Sequence, residues 1–441
     1  MQLNFSPELK TFAAQLPTPL YAVGGCVRDA LLGRESHDVD LCSALLPEQI
    51  RSIAAAQGIP CPIVNARLGT VLLCLGDQKY EHTTFRTESY PIGGAHQPEN
   101  IAFTDSLEAD AFRRDFSINA LYQNVLTGEI LDPTGGLSDL SRRVLRTTTA
   151  DPLVILRDDG LRILRLIRFA VSTGFPIDEA TWRCAKAQVS LLDDIAWERR
   201  RQELDRLLLS DDVLRALELI HEVGALPYLI PELCEGDGMH QRKDYHRYDV
   251  LPHMFHCCEN TPPVLEYRLM ALLHDVGKPR CLRETGWFYR HARYGETMSK
   301  EILRRLTYPT ALVQRVSLAV GRHMFDLDGR AKPSTVRKRF AEWGQQAAMD
   351  EIVLREADMR GSGYELDYVA SRWREIYSDM LADGCPWSYD ELAITGQQIM
   401  DELHLAPSRE VAGLKRRLFL HCVCHPADNS PERLLRLLHE M

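Results

Sequence analysis

Two aspartates one residue apart, Asp38 and Asp40, follow a glycine pair and an arginine in the stretch Val23 to Asp40, VGGCVRDALLGRESHDVD. Tyr21-Ala22-Val23 is a short apolar run of strand character. Gly24-Gly25 ends it in a turn where the missing Cβ lets backbone approach a bulky anion. Arg28 and Asp29 follow on what reads as the start of a helix closed by Gly33. A second strand then carries Asp38-Val39-Asp40-Leu41. Side chains two apart on a strand share a face, so Asp38 and Asp40 are expected to aim at one point while Val39 and Leu41 pack inward. Two carboxylates at one point can hold divalent cations, and such cations beside a triphosphate-binding turn are what metal-dependent nucleotidyl transfer needs. A glycine pair or two acids at a strand end is ordinary when taken singly. The combination, in this order and with Arg28 between, is much less common.

A second constellation lies further along. Leu269-Met270-Ala271-Leu272-Leu273 runs into His274-Asp275-Val276-Gly277-Lys278, and His253, His291, His323 and Asp358 are spread over the same helix-rich region. An apolar helix ending in adjacent His and Asp offers imidazole and carboxylate, both good ligands for divalent metals, transition metals included. A single such histidine would more often be a core residue. Between the two sets, Pro152 to Phe175 reads as one helix, with Leu153, Leu156, Leu161, Leu164 and Ile167 on its apolar side and Gly174 as its stop. Asp158, Asp159, Arg162, Arg165 and Arg168 lie on the polar side, the arginines three apart in a slanted stripe. Such a stripe suits a solvated face with internal ion pairs. It also suits base reading. Asp159 only accepts hydrogen bonds and Arg162 only donates them. The pair matches cytosine and adenine, which show an amino donor beside a ring-nitrogen acceptor, and opposes uracil and guanine.

The elements that must position these residues fall into two kinds. A helix from Pro47 to Gln57, strands at Ile63-Val64-Asn65, Thr70 to Leu75 and Lys79 to Arg86, and a loop from Pro91 to Asn100 indicate a mixed α/β head to about residue 140. After residue 145 the strand signals fade and helices take over. The chain has 441 residues, 45% hydrophobic and 26% charged, enough for two to four ordinary domains. No run is apolar enough to span a bilayer, and MQLNFSPELK lacks a signal-peptide core, so a cytoplasmic protein is expected. The 12 cysteines are scattered without a C-x-x-C pair and read as reduced thiols, and His421-Cys422-Val423-Cys424-His425 reads as helix packing. A net charge of -10 argues mildly against non-specific nucleic-acid binding but leaves room for a local basic groove.

The Val23 to Asp40 stretch resembles the nucleotidyltransferase head of the class II tRNA nucleotidyltransferases (CCA-adding enzymes) and their relatives, the bacterial poly(A) polymerases. The resemblance continues in order. Arg113-Arg114-Asp115-Phe116-Ser117-Ile118-Asn119-Ala120 matches the second motif and Asp132-Pro133-Thr134-Gly135-Gly136 the third. Asp159-Gly160-Leu161-Arg162 and the run to Ala170 match the fourth, with Asp158 where the family usually has Glu, and Glu198 to Leu204 resembles the fifth, which braces the neck. The resemblance implies Asp38 and Asp40 as catalytic ligands of Mg²⁺, with Asp115 supporting them. Gly25, Arg28 and Arg114 would bind triphosphate, and Asp159, Arg162, Arg165 and Arg168 would complete nucleotide binding. Ile63 to Thr70 lacks the Arg-Arg-Phe signature of the poly(A) polymerase relatives, and the loop has Gly93-Gly94-Ala95-His96-Gln97-Pro98 where the family tends to show Asp-x-Arg-Arg-Pro. The later region resembles an HD phosphohydrolase domain, with His253, His274, Asp275 and Asp358 as metal ligands and His291 and His323 as the extra histidines of some members.

The expected fold class is α+β: a nucleotidyltransferase head (1–140), a helical neck with the nucleotide-recognition helix (141–235), an HD domain (236–365) and a helical tail (366–441) that grips tRNA. The expected reaction is untemplated addition of CTP and ATP to the tRNA 3′ end with release of pyrophosphate. Tailing with A alone or with CC alone, and an HD-type metal phosphohydrolase with an RNA-binding head, are the alternatives. No membrane partner is expected.

Overall fold

Short apolar runs bounded by glycines make the strands of the N-terminal part. The computed structural model describes residues 2–35, 38–90, 99–364 and 368–440. In chain order the strands are β1 (Tyr21–Val23), β2 (Asp40–Ser43), β3 (Ile63–Asn65), β4 (Thr70–Leu75), β5 (Gln78–Thr84), β6 (Arg86–Ser89), β7 (Asn100–Phe103), β8 (Tyr122–Asn124) and β9 (Ile130–Leu131). Among the described residues, seven of them form one sheet in the order β3-β4-β5-β2-β1-β8-β9, and β6 pairs with β7 in a separate hairpin. Within that sheet, among the described residues, the β2–β5 pairing alone is parallel; it sets Asp40 beside Glu81. On its other side β2 runs antiparallel to β1, with Asp40 beside Val23.

The middle strands are apolar because both faces are covered. Ala22, Val23, Leu41 and Cys42 are buried, and Val23, Cys42, Phe85, Ala111, Ala120 and Tyr122 form one core cluster. The Phe85 and Tyr122 rings meet edge to face at 6.3 Å. The strand expected from Lys79 to Arg86 is broken at Phe85. Its N–H donates to Ser43 O and its carbonyl accepts from Thr104 N, so the backbone leaves β5 and restarts as β6.

The chain divides into two compact units. One runs to Leu207 and includes Glu218–Leu229; the other takes Leu208–Leu217 and the chain from Ile230 onward. The head and most of the neck helices therefore belong to one unit. Pro152 to Phe175 is two helices, Pro152–Asp158 and Leu161–Thr173, the second capped by Gly174 at φ +71° as its glycine suggested. Asp159 between them is extended (φ −147°, ψ 106°). A Cβ on Gly160 would lie 2.8 Å from both Cβ and O of Leu191, so this corner is pressed against the turn Val189–Asp194.

The second unit is helical. Helices Val250–Glu259, Leu265–Leu273, Lys278–Thr285, His291–Arg305, Thr310–Arg322 and Gln345–Gly361 carry the histidines and aspartates named above or pack beside them. One apolar core runs from Val336 to Leu438 around the fully buried Trp373, so Pro333–Trp343 and Gln345–Gly361 pack with the C-terminal helices as well. Among the described residues, no helix is long and apolar enough to cross a membrane.

Candidate active site and metal centre

Gly24 adopts φ +86°, a conformation that L side chains rarely take, and Gly25 opens the helix Gly25–Leu31. A Cβ on Gly24 would sit 4.0 Å from Asp40 Oδ2, so the turn and the carboxylate are neighbours. Asp40 is the first residue of β2. Asp38 is exposed and precedes the strand, so the two do not share a strand face as expected; pairing begins only at Asp40. Burial raises the Asp40 pKa, the Glu81 carboxylate raises it further, Arg114 lowers it and Asp38 again raises it. Glu81, which sequence reading passed over, thus adds to the negative charge around Asp40. Its signal was its place in an alternating strand, and only the parallel register brings it opposite Asp40. Crowded carboxylates with oxygen donors alone fit a hard divalent cation.

Opposite the acids stands a wall of arginines, around a cleft of about 440 Å³ lined by Gly25, Asp40, Arg114, Asp159, Arg162 and Arg165 among others. Each guanidinium is anchored. Arg114 donates to Asp110 Oδ2 (3.0 Å) and to Tyr122 Oη (2.9 Å). Burial would raise the Asp110 carboxyl, but Arg114 and Arg113 hold it down to about 2. Arg165 donates twice to Asp115 Oδ2, at 2.6 and 2.8 Å. Burial likewise works against the Asp115 charge, and Arg165 brings it down to about 2. Asp115 therefore serves Arg165 and not the acids beside the glycine turn, because its other oxygen is taken by Phe116 N and Asn119.

Arg28 and Arg168 do not line the cleft. Arg28 is buried, bidentate to Asp29 at 2.9 Å and bonded to Asn119 Oδ1 at 2.6 Å; Arg168 donates to Glu203 at 2.8 Å. Both reach the site through Phe169, which lines it: Arg28, Arg165 and Arg168 lie 5.2, 5.4 and 4.3 Å from its ring centroid.

Asp159 and Arg162 both face the cleft, but they are neither on one helix nor paired with each other through their side chains. The corner at Asp159–Gly160 separates them. Arg162 is 7% exposed and donates to the carbonyls of Ile155 and Arg113, both at 2.9 Å. Asp159 Oδ1 accepts from Leu161 N at 3.1 Å, and Oδ2 accepts from Arg199 Nη2 at 2.6 Å. Arg199 also lines the cleft, as do Arg86, Glu88 and Tyr90 from β6 and its end. Tyr90 donates to Glu88 at 2.5 Å and stands 6.0 Å from Arg162. Nothing in Glu198-Arg199-Arg200-Arg201 marks Arg199 as different from its neighbours except helical phase; Arg200 turns inward to Ile195 O and Tyr228 O. The expected loop Gly93–Pro98 lies outside the described residues.

In the second unit all six expected ligands converge. His253 Nε2 is 3.2 Å from His274 Nε2 and 3.1 Å from Asp358 Oδ1. Asp275 links this set to the other two histidines: Oδ2 is 3.3 Å from His274 Nε2, and Oδ1 is 3.1 Å from His291 Nε2. His291 Nε2 is in turn 3.0 Å from His323 Nε2. The Nδ1 atoms of His274, His291 and His323 face the carbonyls of Ala271, Phe288 and Val320 at 2.7 to 2.8 Å, and His253 Nδ1 faces Gly361 O at 3.2 Å. A carbonyl only accepts, so each Nδ1 carries the proton and each Nε2 presents a lone pair inward. Lone pairs facing one another at about 3 Å call for a cation between them, and the outer carbonyls are the partners metal-bound histidines use. Two carboxylates add negative charge at the same point: Asp275 Oδ2 and Asp358 Oδ1 lie 3.3 and 3.5 Å from His274 Nε2. Arg355 donates to Asp358 Oδ2 at 3.1 Å, Lys278 Nζ lies 2.5 Å from Asp275 Oδ2, and Cys257 Sγ is 3.6 Å from His253 Nε2. The sequence reading had none of these three.

Comparison with known proteins matches three stretches of the chain. Residues 20–146 match the Poly A polymerase head domain, 174–236 the probable RNA and SrmB-binding site of polymerase A, and 244–359 the HD domain. The chain is 42% identical over 220 residues to the CCA-adding enzyme of Lactococcus lactis subsp. lactis, covering 49% of this chain and 53% of the relative. It is 40% identical over 216 residues to that of Streptococcus pneumoniae serotype 19F, covering 49% and 52%. The match thus spans about half the length of these curated relatives. In fold, the chain is similar to the Bacillus stearothermophilus CCA-adding enzyme solved in complex with CTP, at a TM-score of 0.74 and 24% identity over 99% of this chain and 98% of that one. It is also similar to the Thermotoga maritima CCA-adding enzyme complexed with tRNA, at a TM-score of 0.65 and 19% identity over 99% and 96%.

Proposed function

We propose that this chain, which joins a Poly A polymerase head domain to an HD domain and is related in sequence to CCA-adding enzymes, adds C and A from CTP and ATP to the 3′ end of tRNA, without a template and with release of pyrophosphate. The observation that carries the reading is a single cleft in which Asp40 stands opposite Arg114, Arg162 and Arg165, with Asp159 among them. Asp40, Asp38 and Glu81 would hold divalent ions, Mg²⁺ by the hardness of the donors. Such ions supply Lewis acidity toward the phosphates and the attacking hydroxyl. The rest falls to side chains and backbone. Gly24 and Gly25 leave room for the triphosphate beside Asp40. Arg114 and Arg165, held by Asp110 and Asp115, present fixed positive charge to its oxygens, with Arg28 behind them through Phe169. Arg168 braces the same ring. Asp159 accepts from the amino group of cytosine or adenine and Arg162 donates to the ring nitrogen; uracil and guanine meet acceptor with acceptor and donor with donor. Each unpaired buried polar group costs about 1–3 kcal/mol, so two mismatches discriminate by roughly thirtyfold to twenty-thousandfold. The twelve unpaired thiols suit a reducing, cytoplasmic setting.

The test is incubation of the protein with tRNA lacking its 3′ end and one labelled nucleotide at a time. Incorporation of C and then A supports the reading. A alone or C alone assigns a specialised tailing enzyme, and no incorporation removes the proposal. The inward-facing lone pairs of the HD centre favour a second, separate reading, metal-dependent hydrolysis of phosphoesters by His253, His274, Asp275 and Asp358 with His291 and His323. Turnover of a chromogenic phosphodiester that vanishes on chelation tests it.

A further inference from the structure

We propose that His246 is a substrate-binding residue of the HD centre, donating a hydrogen bond to a phosphoryl oxygen held by the metal; the inference rests on the reading of that centre as a metal-dependent phosphoesterase. The His246 ring meets the His253 ring edge to face, with centroids 4.5 Å apart and planes at 68°. Lys278, Asp275 and Asp358 all act on it electrostatically. Its nitrogens nevertheless fall outside both sets of ligand atoms that lie within 4.8 Å of one another. His246 is therefore placed to reach what the cation binds and not the cation itself. Its proton is also placed differently. The four ligand histidines keep theirs on Nδ1, each facing a carbonyl. His246 Nδ1 is buried and has no hydrogen-bond partner among the described residues. A buried N–H without an acceptor is rarer than a buried unpaired acceptor, so the proton belongs on Nε2. The ligand histidines thus present lone pairs, which suit a cation, and His246 presents an N–H, which suits an oxyanion.

The segment that carries this ring is neither helix nor strand over 241–249, yet it is pinned on both sides of His246. His246 N donates to Arg242 O at 3.0 Å and Arg247 N to Ser362 O at 2.8 Å. The next ring, Tyr248, stacks on His256 at 4.1 Å. A Cβ on Gly363 would lie 2.8 Å from Arg247 Cβ and 2.9 Å from Tyr248 Cε2, so the segment lies close against the chain that follows Gln345–Gly361. The ring is thus held at the centre by its own backbone. A metal-bound phosphoester keeps oxygens that the cation does not take, and fixed N–H donors stabilise their charge. Lys278 is the neighbouring cation, but it is engaged by Asp275 and Gln241. His246 supplies a donor that those pairings leave to be found.

The experiment uses the full chain loaded with Co²⁺, whose visible absorption reports its own ligands, with a His274→Ala, Asp275→Ala variant as the blank for Co²⁺ bound elsewhere. Inorganic phosphate is titrated calorimetrically into the parent, His246→Phe and His246→Gln, with Co²⁺ affinity and thermal unfolding measured for each. His246→Phe keeps a ring against His253 and removes both nitrogens. It is expected to weaken phosphate binding by about tenfold or more, the scale of one hydrogen bond to a charged group, with Co²⁺ affinity and spectrum unchanged. His246→Gln, which restores an N–H, is expected to recover part of the loss. Should His246→Phe fail to fold, His246→Ala takes its place in the same comparison. Equal phosphate affinity in the parent and the folded variant, or a parent that binds no phosphate, overturns the inference. So does a loss of Co²⁺ affinity that matches the loss of phosphate, which would make His246 a metal ligand. If phosphate binding depends on His246 while the parent turns over no chromogenic phosphodiester, the hydrolysis reading falls and the contact stands.

Discussion

Gly160→Ala places a single methyl where the fold has least room. The new Cβ would lie 2.8 Å from Leu191 Cβ, 2.8 Å from Leu191 O and 2.9 Å from Leu191 C. Carbon contacts are comfortable at about 3.5–4.0 Å, so roughly 0.7 Å or more must be found. None of the opposing atoms lies at the end of a flexible side chain. Overpacking of this kind costs about 1–3 kcal/mol. Propensity works the other way: Gly160 has helical dihedrals (φ −57°, ψ −22°), where alanine gains up to about 1 kcal/mol. The clash wins, leaving a net loss of roughly 1–2 kcal/mol, or about 2–8 °C in the unfolding midpoint for a unit of this size. The corner at Asp159 should straighten in response, because alanine favours one continuous helix from Pro152 to Thr173. That would carry Asp159 away from Arg199 and weaken selection against U and G. The assay is thermal unfolding together with single-nucleotide incorporation. A variant as stable as the parent with unchanged selection refutes the argument that the corner is held by close packing and needed for base choice.

Asp40→Ala should reduce C and A incorporation at least about a thousandfold, since a lost metal ligand removes several kcal/mol of transition-state stabilisation; near-normal single-turnover rates in Mg²⁺ would remove Asp40 from catalysis. Asp115 makes stability depend on acid. Its folded-state carboxyl is at about 2 against 3.8 when unperturbed, so its contribution of roughly 2 kcal/mol is complete above the unperturbed value and lost as pH falls through that range. Urea unfolding should show Asp115→Asn well below the parent near neutrality, with the gap closing toward pH ~3; a gap independent of pH would contradict the Arg165 assignment. His274→Ala combined with Asp275→Ala should abolish divalent-metal binding to the HD centre, read by isothermal titration. It should leave nucleotide addition within a few-fold, because the cleft is built within the other unit.

Much of this was legible in the residues. The glycine turn, Asp40 and the six candidate HD ligands stand out by type and order, and the fold sets Asp40 beside the turn and draws the six side chains together. The misreadings share a cause: periodicity cannot see a corner. Leu153 to Ile167 keep helical spacing across Asp159–Gly160, so two helices read as one and Asp159 and Arg162 as neighbours on one face. The same holds for Asp38, taken for a strand residue because alternation reaches it although pairing does not. Arg28, Arg168 and Asp115 have the right types, but their ion pairs with Asp29, Glu203 and Arg165 are tertiary and no spacing announces them. Glu81 and Arg199 were hidden for the opposite reason, ordinary residues made significant by the strand or helix that faces them.

The HD histidines have a mechanical side as well. His274 and His323 cap the ends of Leu265–Leu273 and Thr310–Arg322, and His291 starts His291–Arg305. Each binds a carbonyl three residues back. Their tautomer is thus written into local chain geometry and survives rearrangement elsewhere. A cation held there would join five helices across 105 residues, from His253 to Asp358. In polymer terms that is a removable cross-link, equivalent in loop length to a disulfide worth about 4–5 kcal/mol. The helical half of the chain would then have two mechanical states, clasped and unclasped, set by the metal available and not by any change in sequence.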